Sequence, residues 1–217
     1  MKQYLVFYGA VDTFSGYGSR ARDLVLSLIK SEQYEVNIIS CRWGATPQGF
    51  LDKNNPDHKL ILDRIIPGQL TRQPDVWIMN TIPSEMQKVG KYNILITAGI
   101  ETTLCDAGWV EGCNRADLVL VSSEHAKKVF LDSKYEKRNN TTGQTEAIIE
   151  IKVPIEVLFE GVNTDIYKKL DKVNESSDVN YVLDGIKEDF NYLFVGHWLQ
   201  GDLGQDRKDV GMLIYTF

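Results

Sequence analysis

The chain has 217 residues, enough to bury a core as one large domain or as one domain with part of another. Its 43% hydrophobic and 25% charged residues are ordinary for a globular protein, and its net charge of −6 argues against duplex DNA or an anionic membrane surface as the main partner, leaving room for a local basic patch. Three scattered cysteines, Cys41, Cys105 and Cys113, fit neither a disulfide framework nor a zinc site, and read as reduced thiols of a cytoplasmic protein.

Strand and helix patterns alternate from the start. Residues 4–9 are nearly all apolar, and a glycine and Asp12 follow directly; this predicts a buried first strand, not a signal segment or membrane span. Residues 19–30 have helical periodicity, with Leu24, Val25, Leu28 and Ile29 on one face. A second strand is expected over 35–40, ending at Cys41-Arg42. Glycines, prolines and asparagines make 44–57 a loop, and 60–66 predicts a short helix stopped near Pro67-Gly68. A third strand at 74–79, a helix from Pro83 to Lys88 capped by Ser84, and a fourth strand at 92–98 come next. Gly99 to Thr103 form the loop after it. A helix over 106–116, a fifth strand over 116–121 and a helix opened by Ser122-Ser123 and running through Phe130 complete the alternation. The polar stretch 133–146 reads as a surface loop or mobile insertion, and 150–159 as strand material broken by Pro154. A charged linker, a new buried strand over 191–198 and an apolar helix over 210–217 close the chain.

This order predicts an α/β fold: a Rossmann-like doubly wound parallel sheet in residues 1–168, a linker over 169–190, and the first strand and helix of a second Rossmann-like domain in 191–217. Ligands bind such sheets at the C-terminal ends of the strands, so the loops at 10–18, 41–44, 99–103 and 122–125 are expected to carry function. The pattern stops inside an apolar helix with no return strand, so the second domain is expected to be incomplete.

Gly16 and Gly18 open the first helix, where glycine lets the backbone approach a phosphate and the helix N-terminus offers free N–H groups. Read as G-x-G-x-x-A, residues 16–21 match a dinucleotide fingerprint, but a lone match is weak. The glycines come late after the strand, and Cys41-Arg42 replaces the acidic residue expected after the second strand. Arg42 could meet a 2′-phosphate, so an NADP-dependent oxidoreductase using Gly16, Gly18 and Arg42 stays open. Glu101, beside Thr102 and Thr103 at a strand end, could bind sugar hydroxyls or act as a base; a solvated loop glutamate is the plain alternative. Ser122, Ser123 and His125 could suggest acyl transfer, but neighbours on a helix do not face each other and no G-x-S-x-G elbow exists, so capping is the simpler role. His58, His125 and His197 show no metal-ligand spacing, and no metal is expected. Gly196 at a strand end, with Arg207-Lys208 ahead of a helix, could hold a diphosphate; flanked by Asp206 and Asp209, the pair could equally be plain surface charge.

Taken in order, these segments resemble the family-4 glycosyltransferases of the GT-B fold. Gly16-Tyr17-Gly18 resembles that family's first loop. Trp109-Val110-Glu111, then Asn114 through Phe130, resemble its Asp-strand-Ser-helix segment. Residues 158–167 resemble its Asn-Gly-Val-Asp crossing between domains, with Glu160 and Asn163 where Asn and Asp are usual. Tyr192 to Gly196 and Arg207 to Gly211 resemble the start of its donor domain, with stretched spacing and His197 in place of an arginine. Ala98-Gly99-Ile100-Glu101 stands where a histidine is often found. The wording around Gly99 to Trp109 and Gly196 to Leu213 is also similar to glycosyltransferase-like proteins of tailed marine phages. The resemblance implies two Rossmann-like domains facing a cleft and a retaining, metal-independent transfer from a nucleotide-sugar, with no further cofactor. It implies donor contacts from Gly16, Gly18, Gly196, Arg207 and Lys208, and an acceptor site lined by Thr102 and Thr103, with Glu101 as the catalytic candidate. The family's paired donor-domain glutamates would fall after Phe217, so this chain alone is expected to transfer little or nothing. A non-catalytic binding module, completed by a separate polypeptide, is the alternative outside enzymes.

Overall fold

The computed structural model describes residues 2–139, 141–169, 181, 184–196, 201–205 and 208–217. The chain divides into two compact units, residues 1–163 and 164–217.

In the first unit, β1 (Gln3–Gly9), β2 (Tyr34–Ser40), β3 (Val76–Asn80), β4 (Tyr92–Thr97), β5 (Leu118–Val121) and β8 (Ile155–Val157) form one sheet in the order β2-β1-β3-β4-β5-β8, with every pairing parallel. Helices α1 (Gly16–Lys30), α2 (Pro56–Leu62), α3 (Ala107–Cys113) and α4 (Glu124–Asp132) cover its faces. This is a Rossmann-like doubly wound α/β fold, as its sequence predicts. The chain runs outward from β1 to β2, then returns past β1 to build the other side, so the strand order reverses between β1 and β3. Such a reversal opens a crevice at the C-terminal ends of the two strands.

The period-2 alternation of each strand splits the core. Leu5 and Phe7 of β1, with Val36, Ile38, Ile78 and Ile96, pack under Ala21, Val25 and Ile29 of α1 and Ile61 of α2. Tyr4 and Val6, with Trp77, Met79, Leu95 and Val119, face Val110 and Cys113 of α3 and Ala126, Val129 and Phe130 of α4. Caps set the helix starts. Ser15 accepts from the Gly18 amide, Asp106 from Gly108 and Ser123 from Ala126.

Four local expectations change. The second helix begins at Pro56, ahead of 60–66, because Asn55 caps it and Pro56 suits its first position. Residues 64–66 then turn outward to pair with the β2 edge, Ile38 donating to Arg64 O and Ile66 donating to Ile38 O. The helix expected from Pro83 is a single 3₁₀ turn, Pro83–Glu85, and Ser84 lies inside it rather than capping it. Residues 133–146 are no simple loop: β6 (Tyr135–Arg138) and β7 (Thr145–Ile149) pair as an antiparallel hairpin. Its turn is held by Asn139 Oδ1, which accepts from the Thr141 and Thr142 amides, and the Tyr135 hydroxyl anchors it by donating to Cys105 O.

A buried polar knot fixes the lower end of β4. The Asn93 side chain accepts from the Val89 and Gly90 amides and donates to Gly90 O and Asp117 Oδ2. The Asn93 side chain, and then Lys88, hold the Asp117 carboxyl below its usual range. A depressed carboxylate contributes stability that is complete above its unfolded pKa of about 3.9 and lost as pH falls through its lower folded value. Urea unfolding at pH 6 and pH 3 should therefore show Asp117→Asn costing stability at pH 6 and much less at pH 3. An equal cost at both would contradict the linkage.

In the second unit, α5 (Val210–Thr216) forms where the apolar helix is expected. The strand expected over 191–198 is not seen: residues 191–196 are exposed and have no strand partner among the described residues, and residues 197–198 lie outside them. An extended segment without a neighbour has no ladder to complete. Phe190 and Tyr192 meet edge to face at 4.9 Å, and Tyr192 lies 5.0 Å from the Phe217 ring.

Candidate functional site

At the rim, the loop after β1 is bound from three directions. Arg22, only 7% exposed, donates through one terminal nitrogen to Val11 O at 2.9 Å and Thr13 O at 3.0 Å, and its guanidinium lies 3.5 Å from the Phe50 ring centroid. The 44–57 segment, a loop as its composition predicts, straps the same turn: Phe14 donates to Pro47 O, while the Gly49 and Phe50 amides donate to Asp12 O. The third tie is Tyr17. Its hydroxyl lies 3.2 Å from Thr97 Oγ1 and accepts from the Ala98 amide, and its ring stacks on Trp43 with centroids 3.9 Å apart. Burial pushes the Tyr17 phenol above its usual pKa. The first loop and the end of β4 are thus one connected surface.

The predicted glycines separate in role. Gly16 is exposed at the start of α1, and a Cβ there would meet nothing within 4 Å. Among the described residues nothing accepts from the Gly16 or Tyr17 amides, so both point outward from the positive end of the helix dipole. Gly18 is buried, and a Cβ there would lie 2.4 Å from Thr13 O. It shapes the loop and cannot itself face a ligand.

Glu101, Thr102 and Thr103 are exposed in the loop after β4. Thr102 Oγ1 is committed to Leu104 O at 2.8 Å, and Glu101 forms no hydrogen bond or ion pair with described residues. Ser122 donates to Ala98 O and Ser123 caps α4, so neither pairs with His125 as a nucleophile. Gly196 and Lys208 belong to the second unit, where both are exposed. Arg207 lies outside the described residues, as does His197.

A second feature has no counterpart in the sequence reading. On the α3/α4 face, near the C-terminal ends of β1 to β3, lies an open cleft of about 680 Å³. Tyr8, Met79 and Met86 line it, with Cys41, Arg42, Ser84, Glu85, Gln87 and Arg115 around them. It exists because the link from β3 to β4 is one 3₁₀ turn, too short to lay a helix across β1 and β2. Arg115 braces that turn, donating to Met86 O and Ser84 O, each at 2.7 Å. Thr81 donates to the Glu85 carboxylate. The Tyr8 hydroxyl and Cys41 thiol share the cleft wall, and burial raises the pKa of both. Of these residues only Arg42 is a ligand-binding candidate in the sequence. The available signal was the short spacing between the third and fourth strands.

Fold and rim together define a doubly wound α/β domain whose strand order reverses between β1 and β3. Among the described residues no helix is long and apolar enough to cross a membrane, and no cluster of three or more His, Cys, Asp or Glu could hold a metal ion. Compared with known proteins, the chain matches no protein-family model, no curated protein and no solved structure.

Proposed function

We propose that residues 1–163 form the acceptor-side domain of a retaining, metal-independent glycosyltransferase of GT-B type that uses a nucleotide-sugar donor. The supporting observation is where the family-like segments fall. Gly16-Tyr17-Gly18 sits at the N-terminus of α1, facing the rim. Residues 116–130 span β5, the Ser123 cap and α4, and residues 158–163 leave the C-terminal end of β8.

In this function the outward amides of Gly16 and Tyr17 receive phosphate oxygens of the donor, while Gly18 and Arg22 hold the loop that presents them. Glu101, at the next strand end but one across the sheet, accepts a proton from or orients an acceptor hydroxyl, with Thr103 beside it. Arg42 is the residue on which the competing NADP-dependent oxidoreductase depends.

Trp43, stacked on Tyr17, is a built-in reporter for the test. Titration of the chain with UDP-glucose, GDP-mannose and NADPH, followed by tryptophan fluorescence, should give saturable binding of a nucleotide-sugar and none of NADPH. Binding of NADPH alone would transfer the assignment to the oxidoreductase, and binding of none of the three would remove it.

A further inference from the structure

We propose that the Tyr17 hydroxyl is a positioning group: it fixes the loop that carries Glu101 to the helix end that carries the Gly16 and Tyr17 amides, so that an anion held on those amides stiffens that loop. The identity of the anion, a nucleotide-sugar, rests on the glycosyltransferase function, but the tie itself does not.

The peptide group of Ala98 is gripped at both ends. Its N–H donates to the Tyr17 hydroxyl at 3.2 Å, and its carbonyl accepts from Ser122 Oγ at 3.0 Å. Tyr17 belongs to α1, and Ser122 stands directly before the cap of α4, so helices on opposite faces of the sheet hold one residue. Gly99 follows with a φ of +84°, and a Cβ on it would stand 2.6 Å from Ala126 Cβ. The chain is therefore pressed against α4 in a conformation that favours glycine. The far end of the loop is fixed at Cys105, whose amide donates to Ser133 Oγ at 3.0 Å. Between these anchors Ile100 packs against the core, while Glu101 to Leu104 are exposed. Where Glu101 stands is thus set largely by how firmly Ala98 is held.

The tyrosine is needed here for its oxygen. Phenylalanine would keep the stack on Trp43 but would offer the Ala98 amide no acceptor. The same oxygen lies 3.2 Å from Thr97 Oγ1. Both contacts are at the long end of the hydrogen-bond range and have room to shorten. Phosphate oxygens bonded to the outward amides of Gly16 and Tyr17 would restrict the backbone of the very residue whose side chain makes these contacts. The restriction passes along one residue, from the Tyr17 amide to its own hydroxyl, and from there to Ala98.

Amide hydrogen exchange followed by NMR, which resolves single residues, tests the tie with UDP-glucose, GDP-mannose and inorganic pyrophosphate, each at millimolar concentration. In the parent chain at least one of the three should slow exchange over residues 98–104 several-fold. Tyr17→Phe keeps both the amide and the ring, so it should fold and still bind, as the Trp43 signal reports. Without ligand its Ala98 amide should exchange several-fold faster, and added ligand should no longer slow the loop. Ser122→Ala loosens the same peptide group from the α4 side but leaves the Tyr17 tie, so the ligand should still slow exchange there. A merely structural tie would speed exchange equally with and without ligand in Tyr17→Phe and leave the ligand's effect intact; that result would overturn the proposal. An unchanged Ala98 rate in Tyr17→Phe would do the same, as would no slowing in the parent by any of the three compounds. Loss of all binding by Tyr17→Phe would make the hydroxyl a ligand contact and overturn it too. Slowing by pyrophosphate without binding of either nucleotide-sugar removes the glycosyltransferase function and leaves this inference standing. Binding of a nucleotide-sugar without slowing does the reverse.

Discussion

Gly112→Ala is expected to lower stability by about 3 kcal/mol or more, the largest effect expected of a methyl added at a described glycine. In an exposed helix the same change would gain about 1 kcal/mol, because alanine is the better helix former. Here a Cβ would stand 2.0 Å from Pro83 O and 2.4 Å from the Pro83 carbonyl carbon. Both neighbours are backbone, so no side chain can swing aside. Relief requires α3 or the 3₁₀ turn to move, and the turn is tied to Arg115 just beyond the helix. The consequence reaches the cleft, since Ser84 to Gln87 form its wall. Urea unfolding should show a strongly lowered midpoint, and Cys41 should react faster with iodoacetamide. A midpoint equal to that of the parent chain would show that the approach of α3 to the turn is looser than described.

The second large effect separates two glycines only two positions apart. Gly18→Ala is expected to cost about 2 to 3 kcal/mol, because its methyl would press on Thr13 O at 2.4 Å and Thr13 Oγ1 at 2.7 Å within a loop already held by Arg22. Gly16→Ala should stay within about 0.5 kcal/mol of the parent, since nothing occupies the space its methyl would enter. If the Gly16 amide receives a phosphate, its variant should instead weaken nucleotide-sugar binding. Thermal unfolding and the fluorescence titration, run on both variants, read the two roles separately. Equal loss of stability in both would refute the division.

That division marks the limit of what the sequence discloses. The G-x-G spelling identifies a close backbone approach but not what approaches. For Gly18 the partner is Thr13, in its own loop, and only the fold shows it. The strands were legible because each face of a buried parallel sheet demands apolar residues at every position, as in Tyr4 to Phe7. Helix starts at Ser123 and Asp106 were legible because capping is local chemistry. The 133–146 hairpin was not, since its polar strands are exposed and carry no apolar stripe; its one local signal was the Asn139 turn ahead of Gly143. The strand expected over 191–198 shows the converse: an apolar run with good strand propensity does not become a strand among described residues without a neighbour to pair with. The cleft was illegible for another reason. It is made by what the β3–β4 link fails to cover, and Tyr8, Cys41 and Glu85 come together only because β1, β2 and β3 lie side by side.

The placement of β1 carries a consequence for how the protein is made. It is synthesised before every other strand of its sheet, yet it ends up between two neighbours. β2 closes one edge once Tyr34 to Ser40 have emerged, but the other edge waits for Val76 to Asn80. The Tyr4 amide likewise has no acceptor until Asp75 arrives, whose carboxylate then accepts from it while the Asp75 amide donates back to Tyr4 O. Through that interval a nascent chain carries an apolar ribbon, Leu5 to Phe7, with open hydrogen-bonding groups along one side, the kind of edge that recruits foreign strands. Chains cut short before Asn80 should therefore aggregate as they are synthesised, and co-translational chaperones should engage this protein over that early window more than at any later one.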